Sequence, residues 1–327
     1  MNNNLLPIIM VLLSAFMWGS WGQFIKRVSG WNIRMFMFML YLFSIILTWV
    51  ILLIFCGIDG YIELLNLIYI HPQFLLYPIL GGIIYTLGMW FNIVAVDIAG
   101  LSITYMIFTS ISMLLGTSLS IIAGGLPEGT SIFSVLIGAI LILISVFFCG
   151  YSSNSKEKNS VSNNKNGVSI KTILLYGVIS GFFVSSFPFF MTLSIKTSIN
   201  PNGLNSYQYM ALLSCGSMIT AILVCLIPLI KSKELIKAFN VPKSYFVFAA
   251  LSAIMHYGGN ILNAVYAPLV GLALSWPLGQ TMALWAVLWG VIYKEYNNAP
   301  MKSILSIILA IIFIILGTLY ITLTVYN

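Results

Sequence analysis

The sequence predicts an all-α polytopic membrane protein, with ten transmembrane helices arranged as two inverted five-helix repeats. Three observations lead to this fold class. The 327-residue chain is 60% hydrophobic and only 6% charged, which is outside the range of soluble globular domains. Ten apolar runs are each long enough to cross a hydrocarbon core, which takes about 20 residues. Finally, the basic residues are concentrated in alternate connections between those runs.

The ten runs are separated by short polar or Gly/Pro-containing connections. The first run lacks the features of a signal peptide, because its leader MNNN has no basic residue and FIKRVSG follows it like a cytoplasmic stop. We therefore expect it to be retained as a helix. The runs are centred on residues 5–25, 33–56, 75–97, 101–123, 130–151, 172–195, 206–230, 244–267, 272–293 and 301–325.

The positions of Lys and Arg predict the orientation in the membrane. Thirteen of the 14 basic residues fall in connections 1–2, 5–6, 7–8 and 9–10, and only Lys196 falls on the other side. Because cytoplasmic loops are enriched in Lys and Arg, we expect both termini outside, in a plasma membrane or bacterial inner membrane. The net charge of +7 follows from this topology, and no nucleic-acid partner is expected.

A polar segment divides the chain into two halves with five runs each. Residues 152–171 contain the stretch Ser152–Gly167, which is rich in Ser, Asn and Lys and predicts a flexible cytoplasmic linker. The halves are a first repeat at 1–151 and a second at 172–327. Because five is an odd number, two copies of one unit insert with opposite orientations.

Two segment pairs support the repeat. "SAFMWGSWGQF" from Ser14 resembles "SGFFVSSFPFF" from Ser180. In addition, Gly81–Ser110 aligns without gaps on Ser252–Thr281. The second alignment matches Gly88 with Gly259, Asn92 with Asn263 and Gly100 with Gly271, and it places Tyr85 opposite His256, Tyr105 opposite Trp276 and Thr109 opposite Gln280.

Polar and helix-breaking residues in the middle of apolar runs predict a solute site. His256, Asn260 and Asn263 fall on one helix face at i, i+4 and i+7. Corresponding irregular segments of inverted repeats meet near the bilayer midplane, where they line a cavity. The alternative role for these amides is hydrogen bonding between neighbouring helices. The candidate substrate-binding residues are Trp18, Gln23, Tyr85, Asn92, Tyr105, Thr109, Asn260, Asn263, Trp276 and Gln280.

His256 is the candidate proton-coupling residue, because imidazole is the side chain that changes charge near neutral pH. The alternative is a neutral histidine that bonds between helices, with uniport as the mechanism. We expect runs 1, 3, 4, 6, 8 and 9 to surround the cavity. Runs 5 and 10, with Phe147 and Ile311, are expected at the periphery. We expect Lys294 and Glu295 to form a solvated pair at the cytoplasmic interface.

The sequence contains no constellation typical of an enzyme. It has no phosphate-binding GxxxxGK and no His/Cys set with metal-ligand spacing, and its two histidines, His71 and His256, lie far apart. The four cysteines show no paired spacing. We therefore expect no catalytic residue, no metal and no cofactor. The expected partners are a small-molecule solute, protons as the coupling ion, and the lipid bilayer.

Four segments resemble the ureide permeases of the drug/metabolite transporter superfamily. "FMWGSWGQFIKRVSG" is similar to their first helix, "AGLSITYMIFTSISMLLGTSLSI" to their fourth, "GFFVSSFPFFMTLSI" to their sixth and "WPLGQTMALWAVLWGVIYKEY" to their ninth. The rhamnose and glucose/ribose uptake transporters of the same superfamily are also similar. The resemblance implies a ten-helix, inverted-repeat carrier that imports a ureide, a nucleobase or a monosaccharide, often with a proton.

The sequence departs from the ureide permease pattern at two places. Plant members carry a long central loop with a phosphate-binding-like motif, whereas Ser152–Gly167 is short and has none. Lys294 stands before Glu295 where the family usually has Gly, which leaves the role of this ending open. The function expected is proton-coupled import by alternating access. The alternatives are a metabolite or multidrug exporter and, in another class, a membrane scaffold or channel.

Overall fold

The computed structural model describes residues 5–124, 131–159, 170–198, 200–297 and 299–323. These residues form helices joined by short connections, with one isolated bridge between Ile195 and Leu204. Eight helical segments in the described ranges are long and apolar enough to cross a bilayer. The prediction of an all-α polytopic membrane protein is therefore confirmed. The eight segments are Leu6–Val28, Ile33–Ile70, Gln73–Ala99, Leu101–Gly124, Lys171–Ser194, Ser206–Lys231, Lys243–Val270 and Met301–Tyr320.

The described residues contain fourteen α-helices, some of which lie outside these eight segments. A 3₁₀ segment, Trp21–Val28, follows the first helix, and a π segment, Ile222–Leu226, lies between the eighth and ninth. The helices are α1 (Leu5–Ser20), α2 (Ile33–Ile70), α3 (Gln73–Ala99), α4 (Leu101–Gly124), α5 (Ile132–Asn159), α6 (Ile170–Val184), α7 (Ser186–Ser194), α8 (Ser206–Ala221), α9 (Ile227–Lys231), α10 (Leu235–Phe239), α11 (Lys243–Val270), α12 (Leu272–Gly279), α13 (Met282–Ile292) and α14 (Met301–Leu323).

Side-chain caps and left-handed glycines set several helix boundaries. Asn205 and Gln208 form a capping box at the start of α8, which satisfies backbone N–H groups that have no partner within the helix. Gly100 separates α3 from α4 at φ 92°, and Gly271 separates α11 from α12 at φ 99°. Glycine adopts this region without the steric penalty that a Cβ brings. These two glycines are matched in the sequence alignment of the halves.

The structure differs from the predicted runs at three places. α2 bends at Gly57, where φ is 63°, and continues as a second helical segment to Ile70. This segment was not predicted, because its acidic residues interrupt the apolar pattern. The ninth run is divided at Gln280 into α12 and α13. α5 extends to Asn159, so the first part of the predicted linker is helical; residues 160–169 lie outside the described residues.

The packing of the helices gives a central group and one pair at the side. α3 packs against α6, α7 and α8, whereas α11 packs against α1, α2 and α12. α4 contacts α6, α7, α12 and α13, and α5 packs mainly against α14. Phe147 is exposed on the outer surface of α5. The peripheral position expected for runs 5 and 10 agrees with this packing.

One end of the bundle carries most of the basic residues near its connections, and we call it the basic end. There Trp31 donates from Nε1 to the carbonyl of Ala238 (2.7 Å), and the Tyr245 hydroxyl donates to the carbonyl of Ser29 (3.1 Å). α3 ends at the basic end and α11 begins there. The two helices therefore run in opposite directions through the bundle.

Candidate functional site

A small enclosed cavity lies at the centre of the bundle. Its volume is about 20 Å³, which is room for about one water molecule. All eleven lining residues are buried, and they come from the six runs that the sequence predicted around a cavity. The lining consists of Trp18, Trp21, Tyr85, Met89, Phe108, Val184, Phe187, His256, Asn260, Trp276 and Met282.

Polar side chains are gathered at one corner of the cavity. The Tyr85 hydroxyl lies 3.2 Å from Nε2 of His256 and 3.4 Å from the amide of Asn260. Trp18 donates from its indole Nε1 to Oδ1 of Asn260 at 2.7 Å. The rings of Tyr85 and His256 stack with centroids 5.7 Å apart. This corner therefore joins α1, α3 and α11 through one continuous set of hydrogen bonds.

Aromatic rings form much of the remaining wall and contact the polar corner directly, because the ring centroids of Tyr85 and Phe187 are 5.4 Å apart. The Trp276 centroid lies 5.8 Å from those of both Trp18 and Phe187, and the Phe187 ring is inclined by only 29° to it. Trp276 is fixed by a hydrogen bond from Nε1 to the carbonyl of Ser112 (2.9 Å). Such faces provide large apolar contact area with little loss of side-chain entropy. The cavity as observed is too small for a ring; only after it widens could these faces contact the flat side of a ring while the polar corner contacts its edge.

His256 is enclosed by aromatic residues. The centroid of its ring lies 4.9 Å from that of Trp21, 6.1 Å from Tyr41 and 5.5 Å from Tyr257, in addition to the stacked Tyr85. Its Nδ1 has no hydrogen-bond partner among the described residues. Nδ1 can accept a proton when Nε2 carries the hydrogen that bonds to Tyr85, and it can donate to a solute in the other tautomer.

The structure brings together five of the residues proposed from sequence and places six elsewhere. Trp18, Tyr85, Asn260, Trp276 and His256 line the cavity. Six residues do not line it in this conformation: Gln23, Asn92, Tyr105, Thr109, Asn263 and Gln280. Gln23 accepts at Oε1 from the Tyr293 hydroxyl, the Tyr105 ring packs beside Trp21, and the Thr109 hydroxyl donates to its own helix. The other three are buried amides.

Six lining residues were not among those proposed from sequence. Met89, Phe108 and Met282 are apolar residues in apolar runs, and nothing local distinguishes them from packing residues. Val184 and Phe187, however, occupy the positions that match Trp18 and Trp21 in the aligned segments of the two halves. The repeat was therefore a signal that could have identified them.

Glu295 lies at the basic end of the bundle, against the start of α4. Its carboxylate accepts hydrogen bonds from the backbone N–H groups of Leu101 (2.8 Å) and Ser102 (3.2 Å), and from the Ser102 hydroxyl (3.2 Å). Nζ of Lys26 lies 3.9 Å from the carboxylate. A carboxylate at a helix N-terminus satisfies N–H groups that lack intrahelical partners and interacts favourably with the helix dipole.

The expected solvated pair of Lys294 and Glu295 is therefore wrong for the glutamate. Lys294 is exposed, but the Glu295 side chain is only 11% exposed. The chain reverses at Lys294, which lies at φ 58°, while N–H of Glu295 bonds to the carbonyl of Gly290 (2.9 Å). This C-terminal turn directs Glu295 toward α4, a contact nearly 200 residues distant along the chain.

A second contact at the basic end joins the 3₁₀ segment to the turn after α13. The Tyr293 hydroxyl donates to Oε1 of Gln23 (2.8 Å) and accepts from Nε of Arg27 (3.0 Å). The Arg27 guanidinium also lies 5.6 Å from the centroid of the Tyr293 ring. We call this set, together with Glu295, Lys26, Leu101 and Ser102, the basic-end clasp.

Comparison with known proteins gives a fold but no family. No family model and no curated protein matches the chain. One solved structure, described only as the crystal structure of a protein, matches with a TM-score of 0.56 over 98% of this chain and 97% of its own, at 12% identity. At that identity the likeness concerns the fold alone.

Proposed function

We propose that the protein is a secondary transporter that imports a small neutral polar metabolite by alternating access. The observation that carries the proposal is the central cavity: it is enclosed, it has an aromatic wall and a polar corner, and none of its eleven lining residues is Asp, Glu, Lys or Arg. Ligand sites combine mostly apolar walls with a few convergent polar groups in this way.

The proposed architecture is ten spans in two inverted repeats. In this proposal, α5 and the α12–α13 pair are the ninth and tenth spans, in addition to the eight long ones. Residues matched between the halves recur around the cavity: Tyr85 with His256, Met89 with Asn260, Trp18 with Val184 and Trp21 with Phe187. Close helix contacts recur as well, because Gly88 packs against Val184 and its match Gly259 packs against Trp18. These recurrences support a common unit inserted twice with opposite orientation.

The lining favours a flat polar heterocycle, such as a ureide or nucleobase, over a monosaccharide. Besides indole N–H groups, of which those of Trp18 and Trp276 already donate within the protein, the polar groups of the lining are those of Tyr85, His256 and Asn260. The rest of the lining, including Phe187, offers apolar surface. A sugar carries hydroxyl groups around its whole edge, and each buried hydroxyl without a partner costs about 1–3 kcal/mol. A heterocycle with apolar faces needs fewer partners.

The observed conformation is closed around the cavity, so a solute enters only when the walls part. The basic-end clasp stabilises the closed state on one side, because it links the turn after α13 both to the 3₁₀ segment and to the start of α4. By the distribution of Lys and Arg, this side is the cytoplasmic one and both termini are outside, in a plasma membrane or bacterial inner membrane. Import then requires that the clasp opens after the outer side has closed.

Proton coupling through His256 is the second part of the proposal. The groups that face the imidazole are the hydroxyl of Tyr85 and the rings of Trp21, Tyr41 and Tyr257. A proton on Nδ1 would be stabilised only when water or a solute acceptor reaches that nitrogen. Protonation and solute binding would therefore favour one another, which is the requirement for symport.

Export, and a channel or scaffold role, remain the rival functions. Exporters of cations usually need a buried carboxylate, and none of the cavity-lining residues provides one. A cavity with room for about one water is not a pore. A scaffold would not require the clustered polar groups of Tyr85, His256 and Asn260 at the centre of an apolar bundle, since such groups are costly in lipid.

A thermal-shift panel of ureides, nucleobases and monosaccharides on the purified protein tests the proposal. A ligand at 100 times its dissociation constant stabilises the folded state by about 2.7 kcal/mol. We expect a flat heterocycle to raise the melting temperature of the native protein and of Phe147→Leu, a control on the outer surface, but not of Asn260→Leu. If no compound stabilises the native protein more than the Asn260 variant, the cavity is not the solute site.

A further inference from the structure

Asn92 and Asn263 are buried amides whose polar atoms have no partner in the part of the chain that the structure describes. Both side chains are completely buried, and within the described residues neither the oxygen nor the nitrogen of either amide makes a hydrogen bond. Buried polar groups in native structures nearly always have a partner. If these amides were interhelical links, each would show a bond to a neighbouring helix, so the structure gives no support to that role.

Both amides lie on the faces of α3 and α11 that line the cavity. On α3, Tyr85, Met89 and Asn92 follow one another at i, i+4 and i+7, and on α11 His256, Asn260 and Asn263 repeat this spacing. The first two residues of each set line the cavity. Each asparagine therefore stands one turn beyond the cavity wall, on the same helix face.

The two amides lie on opposite sides of the cavity. α3 runs toward the basic end and α11 runs away from it, and the hydrogen bond between Tyr85 and His256 sets the two helices level at the cavity. Seven residues of helix rise by about 10 Å. Asn92 is therefore displaced by that distance toward the basic end, and Asn263 by the same distance toward the other end.

We propose that Asn92 and Asn263 line the two half-pathways through which a solute reaches the cavity, Asn92 from the basic end and Asn263 from the opposite end. Each amide gains hydrogen-bonding partners only when its own half of the bundle opens. An unpaired amide in the closed state thus lowers the free energy needed to open that side. The inference rests on the proposed transport function, and it adds two polar contact sites for the solute outside the observed cavity.

Cysteine labelling from the two sides of the membrane tests this placement without any solute. The four native cysteines are unpaired and are first replaced with serine or alanine, and the replaced protein is checked for an unchanged melting temperature. Asn92→Cys and Asn263→Cys are then treated with a membrane-impermeant maleimide in right-side-out and inside-out vesicles. Lys294→Cys and Lys196→Cys are the exposed controls at the basic end and the opposite end.

We expect position 92 to be labelled from the same side as position 294, and position 263 from the same side as position 196. Labelling of both asparagine positions from one side, or of neither while the controls react, would overturn the proposal. If the two positions are labelled from opposite sides but the protein binds none of the compounds in the thermal-shift panel, the two half-pathways are supported and the proposed solute class is rejected.

Leucine variants give a second readout that a structural role would not produce. Asn92→Leu and Asn263→Leu keep the branching of the side chain but remove the unpaired amide. We expect each to raise the melting temperature by a few degrees and not to lower the rate of maleimide labelling at the cysteine of the opposite amide position, because only the half that carries the leucine becomes harder to open. A lower melting temperature in both variants would show that the amides stabilise the closed structure, contrary to the proposal.

Discussion

Replacement of Glu295 by glutamine should open the basic end of the bundle. The native carboxylate accepts two backbone N–H groups and one hydroxyl at the start of α4. Glutamine keeps one acceptor oxygen for Leu101, but its NH₂ group faces the N–H of Ser102 and cannot accept. The change therefore removes the charge at the helix N-terminus together with the bond from the backbone N–H of Ser102, whereas the Ser102 hydroxyl can still accept from the new NH₂ group.

The expected loss is about 2 kcal/mol. Hydrogen bonds to charged groups contribute about 1.5–3 kcal/mol each and are roughly twice as strong as neutral ones, and the helix-dipole term adds about 0.3–1 kcal/mol. The pair with Lys26 adds little, because the lysine is 28% exposed and 3.9 Å away. The hydrogen-bond and helix-dipole contributions are each taken near the low end of their range, because Glu295 is not fully buried. Since about 1.4 kcal/mol is a factor of ten, opening should become about 30-fold more frequent.

Hydrogen exchange of the first turn of α4 measures this directly. Its N–H groups have no intrahelical acceptor, so their protection depends on Glu295. We expect exchange at Leu101 and Ser102 to be about 30-fold faster in Glu295→Gln. Glu234→Gln is the matched control, because Glu234 lies at the same end, is exposed, and accepts a hydrogen bond from the Asn32 side-chain amide (3.2 Å) rather than from a helix N-terminus. Unchanged exchange in the Glu295 variant, or equal acceleration in both, would refute the closing role.

Two further predictions concern the same turn and the proposed coupling residue. Lys294→Gly should stabilise the protein by about 0.5–1 kcal/mol, because Lys294 lies at φ 58°, where glycine avoids the Cβ penalty. The melting temperature measured by calorimetry checks this. Lys294→Ala is the control: it keeps the Cβ and should therefore show no gain. His256→Gln should abolish accumulation of solute driven by a pH gradient but retain exchange of solute without a gradient; unchanged accumulation in the variant would exclude His256 as the coupling residue.

The sequence predicted the spans well because their signal is local. Apolar runs about 20 residues long and the alternation of basic connections depend only on the solvent that each segment meets. The second segment of α2, after Gly57, was missed because it mixes apolar residues such as Ile58 and Ile62 with Asp59 and Glu63. That pattern fits a loop or a surface helix as well as a span.

The site was only partly predictable for a different reason. Asn260 and His256 stand out because polar side chains are rare in the membrane. Phe187 does not stand out, because it is one of many apolar residues in its run. The role of Glu295 could not be predicted locally, since its partners at the start of α4 become neighbours only in the folded bundle. Gly100 and Gly271 show the reverse case: they match in the alignment, and both have a similar positive φ.

Counterflow in proteoliposomes tests the central claim most directly. Vesicles that contain the native protein are preloaded with the unlabelled heterocycle that gives the largest thermal shift, and they are then diluted into a trace of the labelled compound. Alternating access predicts transient accumulation of label above its outside concentration, with Phe147→Leu behaving as native and Asn260→Leu giving none. Simple equilibration of label would indicate a channel, and uptake no greater than in protein-free vesicles would indicate a protein that does not transport this solute; either result would contradict the account.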